Sequence, residues 1–263
     1  MNLNKVMEKV VCPLIAEDMR SSLDKSQFAN QPGLSTQHYL IKLIDRILSV
    51  TDNNAKGDCV AVLGTLVDWK SAFPMQDHTL GVKSFIRNGV RASLIPIFAS
   101  FLEGRSMRVA WRGKLSSEKP LPGGGAQGST WGVLEYLSQS NNNADNVPES
   151  DRAKYMDDLT ILEIINLANV GLASFNVKSQ IPSNIPVHNQ FLPSKNLRTQ
   201  KYLEDINSWT EENKMKINQK KTLNIQFNFT KDKQFSTDIV LKKEKLQSVN
   251  QTKLLGIIIT DQL

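Results

Sequence analysis

The sequence predicts an α+β fold, and three observations lead to this class. A continuous apolar run over Val60–Val67 is typical of a strand buried on both faces. Two adjacent acids, Asp157 and Asp158, lie between strand-like residues and predict a hairpin that presents charge at its turn. Helical and strand patterns follow one another without strict βαβ alternation, which favours α+β over a doubly wound fold.

The first half of the chain predicts mainly helices around the buried strand. Helical spacing of apolar residues appears over 4–22 and again after Ser35, with a loop at 23–36 between them. The buried strand ends at Asp68. Two further helices are expected over 77–88 and 92–103, because Asn88-Gly89 interrupts the pattern.

The second half predicts hairpins and shorter strands. A hairpin is expected over 106–121 with Arg112-Gly113 at its turn, and the glycines that follow are expected to open a helix over 126–139. After the acidic hairpin, a Pro-broken insertion is expected over 164–197. The remaining predictions are a charged helix over 198–213 and strands near 215–218, 222–229, 238–242 and 253–260. Trp111, Trp131 and Trp209 are predicted to pack in the core.

Composition limits the class of protein but does not select a function. The 263 residues can form one large domain or two small ones, and 40% hydrophobic with 22% charged residues is ordinary for a globular protein. The net charge of +6 suits a polyanionic partner without identifying one. Cys12 and Cys59 provide neither a disulfide framework nor a zinc site, so both are expected to be buried reduced thiols.

The N-terminal region does not have the pattern of a signal peptide, because Lys5, Glu8 and Lys9 interrupt its short apolar pieces. No apolar run approaches the 18 residues typical of a membrane span. We therefore expect an intracellular protein, nuclear or cytoplasmic, that is soluble and has no membrane partner. The sequence does not specify an oligomeric state.

Three acids form the candidate chemical centre. Asp68 alone favours a helix cap or an ion pair, and Asp157 and Asp158 alone favour a hairpin turn, where Asp is common. Together, on adjacent strand ends, they could bind two divalent ions that clamp the attacking and leaving oxygens of a phosphoryl transfer. Carboxylates favour hard cations such as Mg²⁺, and no His or Cys is placed to favour zinc.

Two further segments suggest contacts with anions. Gly123 to Gly128 contains four glycines, which permit close approach of a ligand and expose backbone N–H groups, although a flexible hinge is the alternative. Arg105, Arg108, Arg112 and Lys114 form the densest basic stretch. They are expected either to contact phosphate or simply to be solvated.

Six motifs in order resemble the reverse transcriptases of non-LTR retrotransposons, over roughly residues 27–260. They are the segment Gln31 to Thr36, the first acidic motif from Val67 to Phe73, the glycine motif from Pro122 to Gly128, the acidic hairpin from Tyr155 to Asp158, the motif from Lys214 to Thr222, and the strands around Leu254 to Ile257. The resemblance implies the palm of a right-hand polymerase, an antiparallel sheet with helices packed on one face.

The resemblance also implies roles for single residues. Asp68 and Asp157 would ligate both metals, Asp158 would assist, and the Trp69 carbonyl would be a further ligand. Phe73 would stack under the sugar of the incoming nucleotide and select deoxynucleotides, with core packing as the alternative. The remaining assignments are Gln127 and Gly128 at the nascent base pair, Lys221 (or Lys220) at the leaving pyrophosphate, and Tyr155, Met156, Leu255 and Gly256 at the primer.

The implied function is RNA-directed DNA polymerase, using an RNA template, a DNA primer, deoxynucleoside triphosphates and two Mg²⁺, with Mn²⁺ as an alternative ion. Partial fingers are expected over 1–59 and the palm over 60–263, with the hairpin at 106–121, the insertion at 164–197 and primer-grip strands at 238–260. The thumb is expected to be absent, and Pro74 stands where relatives have another acid. The alternatives are a truncated, non-catalytic remnant that binds nucleic acid weakly and an RNA-dependent RNA polymerase, against which Phe73 argues.

Overall fold

A computed structural model of the chain describes residues 3–52, 60–125, 128–166, 189–229 and 234–262. The chain divides into two interleaved units. Unit 1 comprises Met1–Lys25, Trp69–Asn143 and Ser208–Lys216, and unit 2 comprises Ser26–Asp68, Ala144–Asn207 and Ile217–Leu263. Cys59, Gln127 and most of the predicted insertion lie outside the described residues.

Helices and strands alternate irregularly along the described residues, as expected for an α+β fold. The α-helices are α1 (Leu3–Met19), α2 (Thr36–Asp52), α3 (His78–Arg87), α4 (Ile95–Leu102), α5 (Thr130–Gln139) and α6 (Arg198–Glu212). The strands are β1 (Val60–Val67), β2 (Ser106–Met107), β3 (Ala110–Trp111), β4 (Lys114–Leu115), β5 (Lys119–Pro120), β6 (Arg152–Tyr155), β7 (Asp158–Asn166), β8 (Asn189–Leu192), β9 (Leu223–Asn228), β10 (Gln234–Thr237), β11 (Val240–Leu241), β12 (Glu244–Lys245), β13 (Gln247–Val249), β14 (Gln251–Leu254) and β15 (Ile257–Thr260).

Unit 2 is built on a five-stranded sheet in the order β13-β9-β1-β7-β6. β1 pairs antiparallel with β7 and β9, β6 pairs antiparallel with β7, and β13 is parallel to β9. Both neighbours of β1 cover its backbone, and nearly all its side chains are buried. This agrees with the continuous apolar run from which the strand was predicted.

Helix α2 covers this sheet through an apolar stripe. Tyr39, Leu43 and Ile47 share one buried cluster with Val62 and Phe227 from the sheet. Gly64, in the middle of β1, has Ile225 Cγ2 only 3.1 Å from where a Cβ would stand. A side chain at this position would require the Ile225 methyl group to move by a few tenths of an ångström.

Unit 1 has its own helical core. This core is a cluster of side chains from α1, α3, α4 and α5. Phe98 packs edge-on against Phe85, with ring centroids 4.4 Å apart, and its centroid lies 5.4 Å from that of Trp131. Cys12 is buried in the same cluster as a free thiol, and burial raises its pKa to about 12. The prediction for Cys12 is confirmed.

Three sequence predictions about local structure are wrong. Helix α5 begins at Thr130 rather than 126, because Ser129 caps it by accepting a hydrogen bond from Gly132 N at 3.0 Å. Residues 215–218 do not form a strand: Met215 N bonds back to Thr210 O and closes the end of α6.

The third wrong prediction concerns Trp111, which is 71% exposed, whereas Trp131 and Trp209 are buried as expected. An alternating apolar pattern placed Trp111 in a strand correctly. However, every residue of β3 and β4, the two strands of its hairpin, is exposed. Among the described residues, none of the helices has both the length and the apolar character that a membrane span requires.

Candidate active site

The acids Asp68, Asp157 and Asp158 lie at one end of the unit 2 sheet. Asp68 directly follows β1, Asp158 begins β7, and Asp157 occupies the turn between β6 and β7. Val67 is paired with Leu159, so Asp68 and Asp158 stand one register step beyond the last pair. The predicted acidic hairpin is therefore present, and the register brings Asp158 beside the end of β1.

The electrostatics of these acids show that they interact. Burial raises the pKa of Asp158 to about 6, and repulsion from Asp157 and Asp68 contributes to the increase. Burial also raises the pKa of Asp68, with a smaller contribution from Asp157 that opposes the effect of Lys221 and of a hydrogen bond from Asn218. The site thus gathers negative charge in a partly desolvated place.

Lys221 is held near Asp68 by a turn after α6. Asn218 N donates to Asp68 O at 2.8 Å, and Asp68 N donates to Thr222 Oγ1 at 3.2 Å. Asp68, Asp158 and Lys221 line a pocket of about 210 Å³. Three residues of β14 line the same pocket, namely Thr252, Lys253 and Leu254. No sequence motif singled out Thr252 or Lys253.

The donor set suits a hard divalent cation, since three carboxylates with mutual repulsion gain most from a positive charge between them. Among the described residues, however, no three His, Cys, Asp or Glu side chains already surround one ion position. The chemistry of the donors therefore fits Mg²⁺ or Mn²⁺, whereas the coordination shell is not formed in this arrangement. Asp68, Asp157 and Asp158 are the residues that would hold the ions.

The turn that carries Asp157 is fixed by a residue that sequence reasoning missed. Met156 adopts a left-handed backbone conformation with φ of 54°. Gln27 Oε1 accepts hydrogen bonds from Met156 N at 3.1 Å and from Ala29 N at 3.0 Å. Tyr155 packs edge-on against Tyr39 with ring centroids 6.3 Å apart. Gln27 is 129 positions from Met156, so no local pattern could reveal the contact.

The predicted primer-contacting pair, Leu255 and Gly256, forms the turn of the β14–β15 hairpin. Their φ angles are 46° and 88°, which is the backbone pattern of a tight two-residue turn. Because β14 lines the acid pocket, the structure brings this hairpin to the same part of unit 2 as Asp68 and Asp158.

Phe73 and the glycine run contact each other within unit 1. The Phe73 ring is half-buried and stacks on Tyr136, with centroids 5.0 Å apart and planes 21° from parallel. Gly125 N donates to Phe73 O at 2.8 Å, and Gly124 N donates to Gln76 O at 2.7 Å. Gly128 has φ of 77°, and its carbonyl accepts from Lys5 Nζ at 2.8 Å.

These contacts correct the expectation that the glycine run exposes amides at the start of a helix. The amides of Gly124 and Gly125 are already engaged by backbone carbonyls, and the helix begins only at Thr130. Trp69 is buried and packs edge-on against Trp209, with centroids 5.8 Å apart. Its burial is consistent with a role for its backbone rather than for its ring.

Comparison with curated proteins relates the chain to transposon polymerases. It is 25% identical over 271 residues to a probable RNA-directed DNA polymerase from transposon BS of Drosophila melanogaster, and the match covers 100% of this chain and 27% of that protein. It is 26% identical over 156 residues to the probable RNA-directed DNA polymerase from transposon X-element of the same organism, covering 59% and 16%. The RNA-directed DNA polymerase from mobile element jockey, also of Drosophila melanogaster, is 25% identical over 238 residues, covering 86% and 22%.

Comparison with solved structures identifies the fold. Apo telomerase from Candida tropicalis, truncated from its C-terminal domain, superimposes with a TM-score of 0.56 at 13% identity, covering 97% of this chain and 43% of that one. Telomerase from Candida albicans in complex with a TWJ fragment of telomeric RNA gives a TM-score of 0.51 at 10% identity, covering 95% and 37%. The fold is therefore that of a right-hand polymerase, as predicted.

No family model matches the chain. The chain spans about a quarter or less of the length of the curated relatives. These comparisons confirm the resemblance of the six motifs to those of non-LTR retrotransposon reverse transcriptases.

Proposed function

We propose that this chain, whose curated relatives are RNA-directed DNA polymerases of non-LTR retrotransposons, is a reverse transcriptase domain. It extends the 3′-hydroxyl of a DNA primer on an RNA template with deoxynucleoside triphosphates. The single observation that carries the proposal is the gathering of Asp68, Asp157 and Asp158 at one end of the sheet, beside Lys221. We assign residues 1–59 to partial fingers and 60–263 to the palm.

The acids hold the metal ions in this proposal. Asp68 and Asp157 ligate two Mg²⁺, or Mn²⁺, while Asp158 and the Trp69 carbonyl complete or orient the set. Bound divalent ions supply Lewis-acid activation of the attacking hydroxyl and neutralise charge on the leaving oxygen. The raised pKa of Asp158 supports this role, since a cation in place would favour the ionised carboxylate that burial and repulsion now oppose.

Lys221 stabilises the departing pyrophosphate, either by its charge or by giving it a proton. Its position is supported by the backbone bonds that tie residues 218–222 to Asp68. Tyr155 and Met156, with Leu255 and Gly256, contact the primer end. Phe73 packs against the sugar of the incoming nucleotide, and Gln127 and Gly128 contact the nascent base pair.

A non-catalytic remnant that binds nucleic acid is the second candidate function. Two observations favour it. Among the described residues, no three metal-binding side chains surround one ion position, and Pro74 follows Phe73 where relatives have another acid. An RNA-dependent RNA polymerase is less consistent with the sequence, because the aromatic ring of Phe73 leaves no room for a 2′-hydroxyl.

A primer-extension assay separates the candidates. We expect the purified chain to extend a labelled DNA primer on an RNA template in Mg²⁺, and Asp157→Asn to lower the rate by at least about 100-fold because charge stabilisation at the metal site is lost. Asp145→Asn is the matched control, since Asp145 is exposed and lies outside the acid group. Equal background extension by the wild type and Asp157→Asn would favour the remnant.

A further inference from the structure

The hairpin formed by β2 to β5 is exposed and carries several charged residues, and we call residues 105–120 the basic hairpin. All eight residues of its four short strands are exposed. Trp111 is 71% exposed, whereas the other three tryptophans are at most 9% exposed. Met107, Val109 and Leu115 add further exposed apolar surface. Several large apolar side chains exposed within one short segment are often part of a binding site.

The geometry of the turn places a cation beside the exposed ring. Arg112 and Gly113 have φ angles of 47° and 76°, the pattern of a type I′ turn that holds the strands tightly. Trp111 pairs directly with Lys114 across the hairpin, and directly opposed residues lie on the same face. The guanidinium of Arg112 stands 5.7 Å from the centroid of the Trp111 ring.

The charge of the basic hairpin is strongly one-sided. It contains five basic residues (Arg105, Arg108, Arg112, Lys114 and Lys119) and one acidic residue, Glu118, which gives a net charge of +4 against +6 for the whole chain. Glu118 already accepts from Arg108 at 2.6 Å and is also bonded to Ser106. No acid in the described part of the chain pairs with Arg112, Lys114 or Lys119.

An exposed indole next to uncompensated cations matches the chemistry of a single nucleic-acid strand. A splayed base can stack on the ring, and the adjacent phosphates can contact the arginine and lysine. A duplex matches less well, because its base faces are already stacked. A protein partner would need acidic groups arranged around an apolar centre. Any nucleic-acid strand already combines phosphates with bases that can stack, so it meets the requirement more simply.

We propose that the basic hairpin is a binding surface for single-stranded nucleic acid, with a base stacked on Trp111 and phosphates on Arg112 and Lys114. The inference extends the proposed polymerase function, because this surface would contact the nucleic-acid strand at a place other than the three acids Asp68, Asp157 and Asp158. It does not require catalysis, so binding alone tests it.

The experiment uses the full chain with a fluorescein-labelled 12-nucleotide single-stranded RNA, its DNA equivalent and a duplex of the same sequence. Anisotropy measures affinity, and tryptophan emission reports the ring directly. We expect both single strands to bind more tightly than the duplex and to quench tryptophan emission. Trp111→Ala should weaken binding by about 5- to 100-fold, the usual effect of losing one stacked base.

Two further variants separate stacking from charge. Trp111→Phe should keep most of the affinity, because a phenyl ring still stacks, but should lose most of the quenching. Arg112→Ala and Lys114→Ala should each reduce the dependence of affinity on salt by about 0.7 in the log–log slope, as for one phosphate contact of a single strand. Lys201→Ala, an exposed lysine on α6, is the matched control and should change neither quantity.

Unchanged affinity in Trp111→Ala, or quenching that persists in Trp111→Phe, would overturn the proposal. Equally tight binding of the duplex would exclude the stacked base. If Trp111→Ala abolished self-association in light scattering without changing oligonucleotide binding, the surface would instead join two copies of the chain. Inactivity in primer extension together with the expected binding results would count against the polymerase proposal alone.

Discussion

At the scale of single residues, the three acids of the site occupy three different environments. Asp157 is exposed on its turn, Asp68 is half-buried at the end of β1, and Asp158 is the one with the pKa raised to about 6. Burial and the neighbouring negative charges both favour the protonated form of Asp158. A cation bound between the three carboxylates would therefore lower the pKa of Asp158 more than that of the other two acids. The residue at the strand start is thus the most sensitive to what the site binds.

A fourth acid, Glu135, lies in the core of unit 1 and is 1% exposed. Burial raises its pKa to about 8, Asp77 adds to the increase, and Arg105 opposes it. Gly81 makes room for it, since a Cβ at Gly81 would lie 2.4 Å from Glu135 Oε1. Glu135 is therefore mostly protonated at neutral pH.

This residue predicts a pH dependence of stability. The folded state keeps a proton on Glu135 that the unfolded chain releases above its ordinary pKa of 4.5, so the free energy of unfolding should fall from about pH 4.5 to about pH 8. The contribution is at most about 1.4 kcal/mol per pH unit and is constant outside that window. Glu135→Gln should remove it, as urea unfolding at pH 5, 7 and 8.5 would measure.

Glu212→Gln is the matched control for Glu135→Gln, because Glu212 is exposed at the end of α6. It should keep the wild-type pH profile. Parallel pH profiles for Glu135→Gln and the wild type would show that Glu135 is not the group responsible.

At the scale of elements, a short loop before α2 determines where the acidic hairpin lies. Lys154 N donates to Ser26 O at 2.8 Å, and Phe28 N donates to Lys154 O at 2.9 Å, so the loop covers the outer edge of β6. Gln27 then reaches the turn itself through its two hydrogen bonds. The acids on the hairpin are held by this loop as well as by the sheet.

Removing the Gln27 side chain should therefore destabilise unit 2. Gln27→Ala leaves the N–H groups of Ala29 and Met156 without their partner, which costs about 1–3 kcal/mol in the free energy of unfolding. Gln37→Ala is the control, because Gln37 is exposed on α2. Urea denaturation measures both variants, and an equal loss in the two would contradict the assigned role of Gln27.

The conformation of the glycine run depends on its contacts with a distant segment of the chain. A Cβ at Gly125 would overlap the end of the Gln76 side chain and lie 3.3 Å from Phe73 Cδ1, so a larger residue there would require Gln76 to move. From the sequence alone, the glycines were expected to permit close approach of a ligand. The structure instead has the run pinned against the segment after the first acidic motif.

At the scale of the whole molecule, the acids meet only through long-range pairing. β1 lies between β7 and β9, so residues 60–67 are paired with segments about 100 and 160 positions further along the chain. When paired strands are far apart in the sequence, the chain loses the entropy of loop closure before the contacts between the strands form. The pocket beside Lys221 is therefore a property of the folded unit rather than of any segment.

Metal binding should appear as stability of the folded chain, independently of activity. At a Mg²⁺ concentration about ten times the dissociation constant, the free energy of unfolding should rise by about 1.4 kcal/mol, which is about 2–3 °C in Tm for a chain of this size. Thermal unfolding with Mg²⁺ against EDTA measures the shift. Asp157→Asn should lose most of it and Asp145→Asn should retain it; equal shifts in all three proteins would place the bound ion elsewhere.

Much of the fold could be predicted because periodicity and apolar runs report which faces of an element are buried. β1 was predicted with its observed bounds, and α3, α4 and the acidic hairpin lie where the patterns placed them. The start of α5 was missed because Ser129 competes with the glycines as a helix start. The exposure of Trp111 was missed because a strand pattern indicates a hairpin but not whether another element covers it.

The sequence by itself determined most of the elements, the order of the motifs and the chemistry of the acids, since each is encoded by neighbouring residues. Only the tertiary structure decided that Gln27 supports the turn of Met156, that Thr252 and Lys253 line the acid pocket, and that Trp111 stands in solvent. The physical reason is that these contacts join residues far apart in the chain. Their energies depend on register and packing, which local patterns do not specify.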